Sequence, residues 1–147
     1  MTNQVILSIK GIQHEFGEDA DTQIITTGDY FYKNNKHYIM YRESIPDTME
    51  VINNTLKISP ERIDLIKRGS QGTHMIFEVN RKNSSFYKTP YGVMDVSFNT
   101  FDMDVQTTDS LITAKMDYAL EINDSFISDC TIMIEVREKM PDHPLGS

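Results

Sequence analysis

The amino-acid sequence predicts an all-β protein, a single antiparallel up-and-down β-barrel of about eight to nine strands. Residues 112–122 alternate apolar and polar side chains, with the small Ala119 neutral, which indicates a long strand and excludes an amphipathic helix. The even-numbered residues of this segment and of residues 130–136 are mostly apolar and are predicted to face the barrel interior. The same alternation recurs along most of the chain, between short turn sequences. So many strands would expose hydrogen-bonding edges, and closure into a barrel removes those edges; a two-sheet sandwich is the alternative.

Nine segments rich in β-branched and aromatic residues are predicted as strands. In chain order they are residues 5–12, 23–33, 36–43, 51–58, 62–68, 73–79, 91–107, 110–122 and 130–137. Because consecutive strands joined by hairpins usually pair, these segments predict an antiparallel meander.

The sequences between the segments are typical of tight turns. Asn34 and Asn35 separate two Tyr-rich segments, and asparagine tolerates the positive φ that a two-residue hairpin turn requires. Pro60 and Pro90 each stand at the second position of a predicted type I turn. The remaining predicted hairpin turns are residues 107–110 and 123–125.

The segment 91–107 is predicted to contain a β-bulge. Its apolar residues have even numbers before residue 99 and odd numbers after residue 100. One extra residue near 99–100 would bring both sets to the same face and would bend the strand. The six residues concerned are Met94, Val96, Phe98, Phe101, Met103 and Val105.

Residues 47–57 fit two structures. Asp47 and Glu50 have the spacing of a capping box, which favours a helix. Residues 51–55 are poor helix formers, and Ile52, Asn54, Leu56 and Ile58 alternate as in a strand. The strand is favoured, and the helix is the alternative.

Length and composition restrict the class of protein. A chain of 147 residues predicts one domain, and we expect residues 1–139 to form the barrel and residues 140–147 to be a disordered tail. The net charge of −8 argues against binding to nucleic acid. No apolar run reaches the roughly 18 residues of a membrane-spanning helix, so no membrane partner is expected.

Cysteine content and the first residues predict the compartment. Cys130 is the single cysteine, so no intramolecular disulfide can form. Residues 1–4 lack the basic and apolar pattern that begins a signal peptide. Together these features predict a cytoplasmic protein.

Several short motifs between residues 26 and 136, taken in order, resemble the YwiB-like family of small uncharacterised bacterial proteins. The motifs are residues 27–30 (TGDY), 37–43 (HYIMYRE), 68–70 (RGS), 77–78 (FE), 87–92 (YKTPYG) and Thr100. The resemblance implies a calycin-type barrel, related in shape to lipocalins, and a bacterial cytoplasmic setting. It supplies no catalytic residue. The chain departs from the resemblance at residues 79–84, where a glycine-bearing turn is expected.

The barrel suggests a place for a ligand, because an interior of this size is either filled or holds one small molecule. If residues 68 and 89–92 meet at one barrel mouth, the Arg68 guanidinium and the tyrosine hydroxyls there could bind a carboxylate or phosphate. Alternatively, Arg68 pairs with an acid such as Glu78, and the interior is packed. The candidate ligand-binding residues are Arg68, Tyr87, Thr89, Tyr91, Met116 and Tyr118.

Other chemistry finds no support in the sequence. The four histidines are scattered, and Cys130 falls on the apolar parity of its segment, as a buried structural cysteine does. There is no phosphate-binding loop, dinucleotide fingerprint or nucleophile elbow. We therefore predict no metal, no cofactor and no catalytic residue, and an enzyme is the least favoured class.

Two functions remain open at this stage. The first is a module that binds a small apolar or acidic molecule in the barrel or at its mouth. The alternative is a protein-interaction or structural barrel with a packed interior. Residues 38–41 and 132–134 are apolar on both faces, which suggests a covering segment or a homodimer.

Overall fold

The computed structural model describes residues 1–15, 18–69 and 72–140, which form ten strands and no helix. Apart from Met140, the predicted tail lies outside the described residues, as does Ser70. The strands are β1 (Gln4–Glu15), β2 (Glu18–Lys33), β3 (Lys36–Ser44), β4 (Val51–Ile58), β5 (Arg62–Arg68), β6 (Thr73–Glu78), β7 (Arg81–Thr89), β8 (Gly92–Thr107), β9 (Leu111–Ile122) and β10 (Ser125–Glu138).

All ladders are antiparallel, and they join the strands into one sheet in the order β6-β5-β4-β3-β2-β1-β10-β9-β8-β7. Strands that follow each other in the chain pair with each other, except for β6 and β7, and β1 also pairs with β10. The two edge strands, β6 and β7, pack against each other, so the sheet is a nearly closed barrel. The predicted antiparallel barrel is confirmed, with ten strands in place of about eight to nine.

The strand that sequence reasoning missed is β7, Arg81–Thr89. Its half-buried positions include Asn83, Ser85 and Tyr87, so polar residues occupy the inner side and no apolar alternation marks the strand. Asn80 supplies the positive φ, 62°, at the turn before it, where a glycine was expected. A glycine is therefore not required there.

Two further local predictions are confirmed, and a third is confirmed in part. Asn34 and Asn35 have φ of 54° and 62° in the β2–β3 hairpin, and residues 51–58 form β4 and not a helix. The bulge in β8 lies between Thr100 and Asp102, slightly later than predicted. The extra residue is Phe101, which is 56% exposed and does not join the inner face; buried Thr100 does.

Apolar side chains fill most of the barrel interior. The predicted inner faces of β9 and β10 are confirmed, because Ile112, Met116, Ile132 and Val136 are buried in one core cluster. Three aromatic rings meet at its centre, with centroids 5.1–5.8 Å apart. They belong to Phe77, Phe98 and Tyr118. Burial of this apolar surface is the main contribution to stability, roughly 1.5–3 kcal/mol for each large side chain.

The barrel wall opens between β2 and β3. Their ladder runs from the turn only as far as the pair Asp29 and Met40, whereas β2 continues along β1 and β3 continues along β4. Gly28 lies where the strands part, and a Cβ atom there would be 2.9 Å from Ile39 Cγ2. The close crossing therefore requires glycine, and the wall has a gap beyond it.

Candidate functional site

The inner wall changes from apolar to polar between two neighbouring rows of residues. Directly paired residues of an antiparallel sheet share a face, so the strand register defines these rows. One row across β3 to β6 is apolar: Ile39, Leu56, Leu65 and Met75. The next row towards the open end is Tyr41, Asn54, Lys67 and Thr73, which we call the polar row.

An ion pair lies at the polar row. Glu43 is on the same face of β3 as Tyr41, and its Oε1 accepts hydrogen bonds from Asn54 Nδ2 at 2.7 Å and Lys67 Nζ at 3.4 Å. The lysine and glutamate side chains are 33% and 27% exposed. Because both side chains are partly exposed, the ion pair contributes only on the order of 0–1 kcal/mol to stability, and a ligand can contact it.

The polar row contains a buried hydrogen-bond acceptor that lacks a donor among the described residues. Asn54 is 1% exposed, and its Oδ1 has no hydrogen-bond partner among the described residues. Flipping the amide would place Oδ1 against the Glu43 carboxylate, so the unpartnered atom is the oxygen. Leaving a buried polar atom unpaired costs about 1–3 kcal/mol of folding free energy. Such unpaired atoms are therefore rare in protein cores.

Two tyrosines lie along the polar row: Tyr41 pairs in register with Asn54, and the Tyr87 hydroxyl neighbours Thr73. Burial, together with the Glu43 carboxylate, raises the pKa of the Tyr41 phenol well above its ordinary value. Burial also raises the pKa of Tyr87, an effect that the neighbouring Thr73 side chain partly offsets. Thr73 Oγ1 is buried and has no partner with good hydrogen-bond geometry among the described residues. Both phenols are therefore neutral hydroxyls at pH 7.

The structure does not bring Arg68 to this group. Arg68 pairs in register with Asn53, and its Nη1 donates a hydrogen bond to Thr55 Oγ1 at 2.6 Å on the outer face. Glu78, the alternative partner, lies 3.9 Å from Arg62. The cation on the inner face is Lys67, one residue earlier in the chain.

The other predicted ligand residues do not form one group, although Tyr118 and Tyr87 are close enough for their phenols to interact. Tyr87 packs against the core beside the polar row, whereas Met116 and Tyr118 lie within the core cluster. Thr89 Oγ1 donates to the Gly92 carbonyl at 2.7 Å, which closes the β7–β8 turn. Tyr91 is fully exposed at that turn. Of the six candidates, Tyr87 is the one beside the polar row.

Sequence reasoning missed Glu43, Asn54, Lys67 and Thr73. A signal was present, because Asn54 and Lys67 continue the inward parities of Leu56 and Leu65 with polar side chains. This signal can be used only if it is known that the odd-numbered residues of β5, which include Lys67, face the barrel interior.

Two cavities bear on the choice of site. One of about 220 Å³ lies at the gap between β2 and β3 and includes Tyr41 of the polar row. Its lining residues are Gln4, Thr26, Thr27, Gly28, Asp29, Met40, Tyr41 and Arg42. A larger one, about 400 Å³, lies on the outer side of the barrel, where Lys10, Lys115 and Met133 contribute. The smaller cavity therefore marks the gap in the wall, and Tyr41 is the residue of the polar row that borders it.

Within the described part of the chain, no three His, Cys, Asp or Glu side chains come together to hold a metal ion. Among the same residues we find no helix with the length and apolar character needed to cross a bilayer.

The fold and site define a nearly closed antiparallel β-barrel with an ionisable group at one end. The chain belongs to the family described as a domain of unknown function (DUF1934), whose model matches residues 7–134. The crystal structure of the ywiB protein from Bacillus subtilis is similar in fold, with a TM-score of 0.69 and 19% identity over 90% of this chain and 91% of that one. The resemblance to the YwiB-like family is thus confirmed. The curated proteins contain no match to this chain.

Proposed function

We propose that the protein is a binding module that takes a small polar molecule at the polar row. The observation that carries the proposal is Asn54 Oδ1, a buried acceptor without a partner on the inner face. It lies beside the part-exposed Glu43–Lys67 ion pair, at the end where the wall opens between β2 and β3. A ligand that donates a hydrogen bond to this oxygen would remove the cost of burying it.

The interior below the polar row is a poorer place for a ligand. An apolar molecule there would have to displace the packed rings of Phe77, Phe98 and Tyr118. A simple acid, the other class that the sequence suggests, finds a cation in Lys67 but meets the Glu43 carboxylate beside it. Hydrogen bonding at the polar row is therefore the better basis for recognition.

The proposal is tested by native mass spectrometry of protein purified from cells, followed by NMR titration with a library of small polar fragments. We expect a retained or titratable compound that shifts the side-chain amide signal of Asn54. In Asn54→Leu the ligand should no longer shift the backbone amide signals of Tyr41 and Lys67, whereas in Arg68→Met, altered on the outer face one residue along β5, the shifts should be unchanged. A library without any effect on the polar row would refute the proposal.

The second candidate function is a protein-interaction barrel. It is favoured by exposed apolar residues on the outer faces of β2 and β3, where the rings of Phe31 and Tyr38 stack with centroids 4.7 Å apart and Met40 is 44% exposed. Analytical ultracentrifugation tests its homodimeric form. A dimer in the native protein that Met40→Glu converts to a monomer would support it, and a monomer over the whole concentration range would exclude the homodimer.

We also propose that the module works in the cytoplasm without catalysing a reaction. Cys130 is a free thiol buried in the core, which suits a reducing compartment. The calycin relationship remains a prediction from the sequence.

A further inference from the structure

We infer that the ligand of the polar row is a small zwitterion whose ammonium and carboxylate groups lie close together, as they do in a free amino acid. The inference rests on the proposed function, since it names the chemical class of molecule that would occupy the same site.

The opposite charges of Glu43 and Lys67 at the polar row favour a ligand that carries both a positive and a negative group. Glu43 and Lys67 present one negative and one positive group within 3.4 Å of each other. A ligand with a carboxylate alone would gain Lys67 but face Glu43, and a ligand with an amine alone would have the reverse problem. A zwitterion can bind both partners, so neither protein charge is left unpaired when water is excluded.

The buried polar atoms without a hydrogen-bond partner, Asn54 Oδ1 and Thr73 Oγ1, also favour a zwitterion. An ammonium group has three donors, which is enough for both the Glu43 carboxylate and the unpartnered Asn54 Oδ1. The ligand carboxylate can accept from Lys67 and from the Thr73 hydroxyl, which is also buried without a well-formed bond. A neutral polyol would satisfy Asn54 but would desolvate the ion pair without supplying any charge.

The surroundings limit the size of the ligand. The apolar row directly beneath the polar row is packed, with Leu56 fully buried. Ile52 pairs with Glu43 in register and is half-buried, so it offers apolar contact to a short aliphatic side chain. Small aliphatic amino acids are therefore better suited than large aromatic ones.

The experiment is an NMR titration of the full chain with a matched series at millimolar concentration. The series contains the standard amino acids, propionate and isobutyrate as acids without an amine, isobutylamine as an amine without an acid, and glycerol as a neutral polyol. We expect at least one small aliphatic amino acid to shift the Asn54 side-chain amide, with an affinity at least tenfold above its single-charge analogues.

Variants sharpen the test. Lys67→Met and Glu43→Gln should each weaken amino-acid binding at least tenfold, and Arg68→Met should not. The ligand series on the unaltered protein decides the matter if a variant fails to fold. Equal binding of a single-charge analogue or of glycerol would overturn the zwitterion and leave the proposed function standing. An absence of any shift at the polar row, for this series and for the fragment library, would overturn both.

Discussion

The two ends of the barrel are built from the same strands and yet are opposite in character. At the closed end, inward residues such as Ile58, Ile63, Phe77 and Ile112 are almost completely buried, and the β2–β3 ladder is intact. At the open end, the same parities carry the polar row, and that ladder is missing. Stability is therefore concentrated at one end, and the other end keeps hydrogen-bonding groups available for recognition.

The largest loss of stability is expected from Phe77→Ala at the closed end. Phe77 is fully buried and contacts the rings of Phe98 and Tyr118, so its truncation should cost about 3–5 kcal/mol of unfolding free energy. Urea denaturation measures the loss. Tyr91→Ala, at the fully exposed β7–β8 turn, is the control and should change stability by less than about 0.5 kcal/mol. Similar values for the two variants would mean that the closed end is not the stable one.

A second test contrasts Asn54 with Asp64, a buried polar residue whose carboxylate oxygens have hydrogen-bond partners. Asp64 accepts hydrogen bonds from Arg62 Nε and from His74 Nε2, both at 2.7 Å. Burial opposes its charge, but these two partners outweigh burial and hold the pKa of Asp64 below its ordinary value. At pH 7, Asp64→Asn should destabilise the protein by about 1.5–3 kcal/mol.

The pH dependence of that loss has a definite sign. A carboxylate with a lowered folded-state pKa stabilises the protein above its unfolded pKa of about 3.9, and this contribution disappears as the pH falls through the folded value. The stability difference between the native protein and Asp64→Asn should therefore shrink below about pH 4. Urea titrations from pH 7 to pH 3 measure it. A difference that grows on acidification would show that Asp64 is not held as a stabilised carboxylate.

Gly28→Ala tests how the open end is formed. The added methyl would lie 2.9 Å from Ile39 Cγ2 and 3.1 Å from the Met40 carbonyl oxygen, so we expect a loss of about 1–3 kcal/mol. Gly11→Ala is the comparison, because its nearest neighbour is the Thr22 hydroxyl at 3.3 Å and the loss should be smaller. Thermal unfolding monitored by circular dichroism measures both. An equal effect would mean that the crossing at Gly28 is not tight.

Controls aside, Asn54→Leu is expected to have the smallest effect on stability. The substitution removes the unpartnered oxygen and places an apolar side chain above Leu56, while Glu43 keeps Lys67 as a partner. We expect a change within about 1 kcal/mol, in either direction, because a lost hydrogen bond to Glu43 offsets the removed penalty. Chemical denaturation measures it. A loss of several kcal/mol would show that Asn54 is a structural residue and would weaken its assignment to a ligand site.

The closed end could be predicted from the sequence because apolar alternation is a physical requirement of a half-buried strand. Ile112, Met116, Ile132 and Val136 were placed on the inner face for this reason, and they are buried there. β7 escaped prediction because its inner residues are polar, so the alternation that identifies a strand is absent. The same lack of apolar pattern hides functional surfaces generally.

The open end could not be predicted to the residue. Lys67 and Arg68 are adjacent cations, and which of them faces inwards depends on the register of β5 against β4. A shift of one residue exchanges the two faces. Ile63 and Leu65 share the parity of Lys67, whereas Ile66 shares that of Arg68, so the sequence favours Lys67 only weakly. Asn54 and Lys67 become neighbours only through that register. Long-range pairing thus decides the site, and local sequence does not encode it.

The pairing of β1 with β10 has a consequence for how the molecule assembles. Val5 lies opposite Glu138, so the ladder at the middle of the sheet joins strands from opposite ends of the described chain. Such non-local contacts slow folding, because a long loop must close before they form. Until β10 has been synthesised, the β1 edge has no neighbour on that side, and a polypeptide truncated before β10 would display an aggregation-prone template.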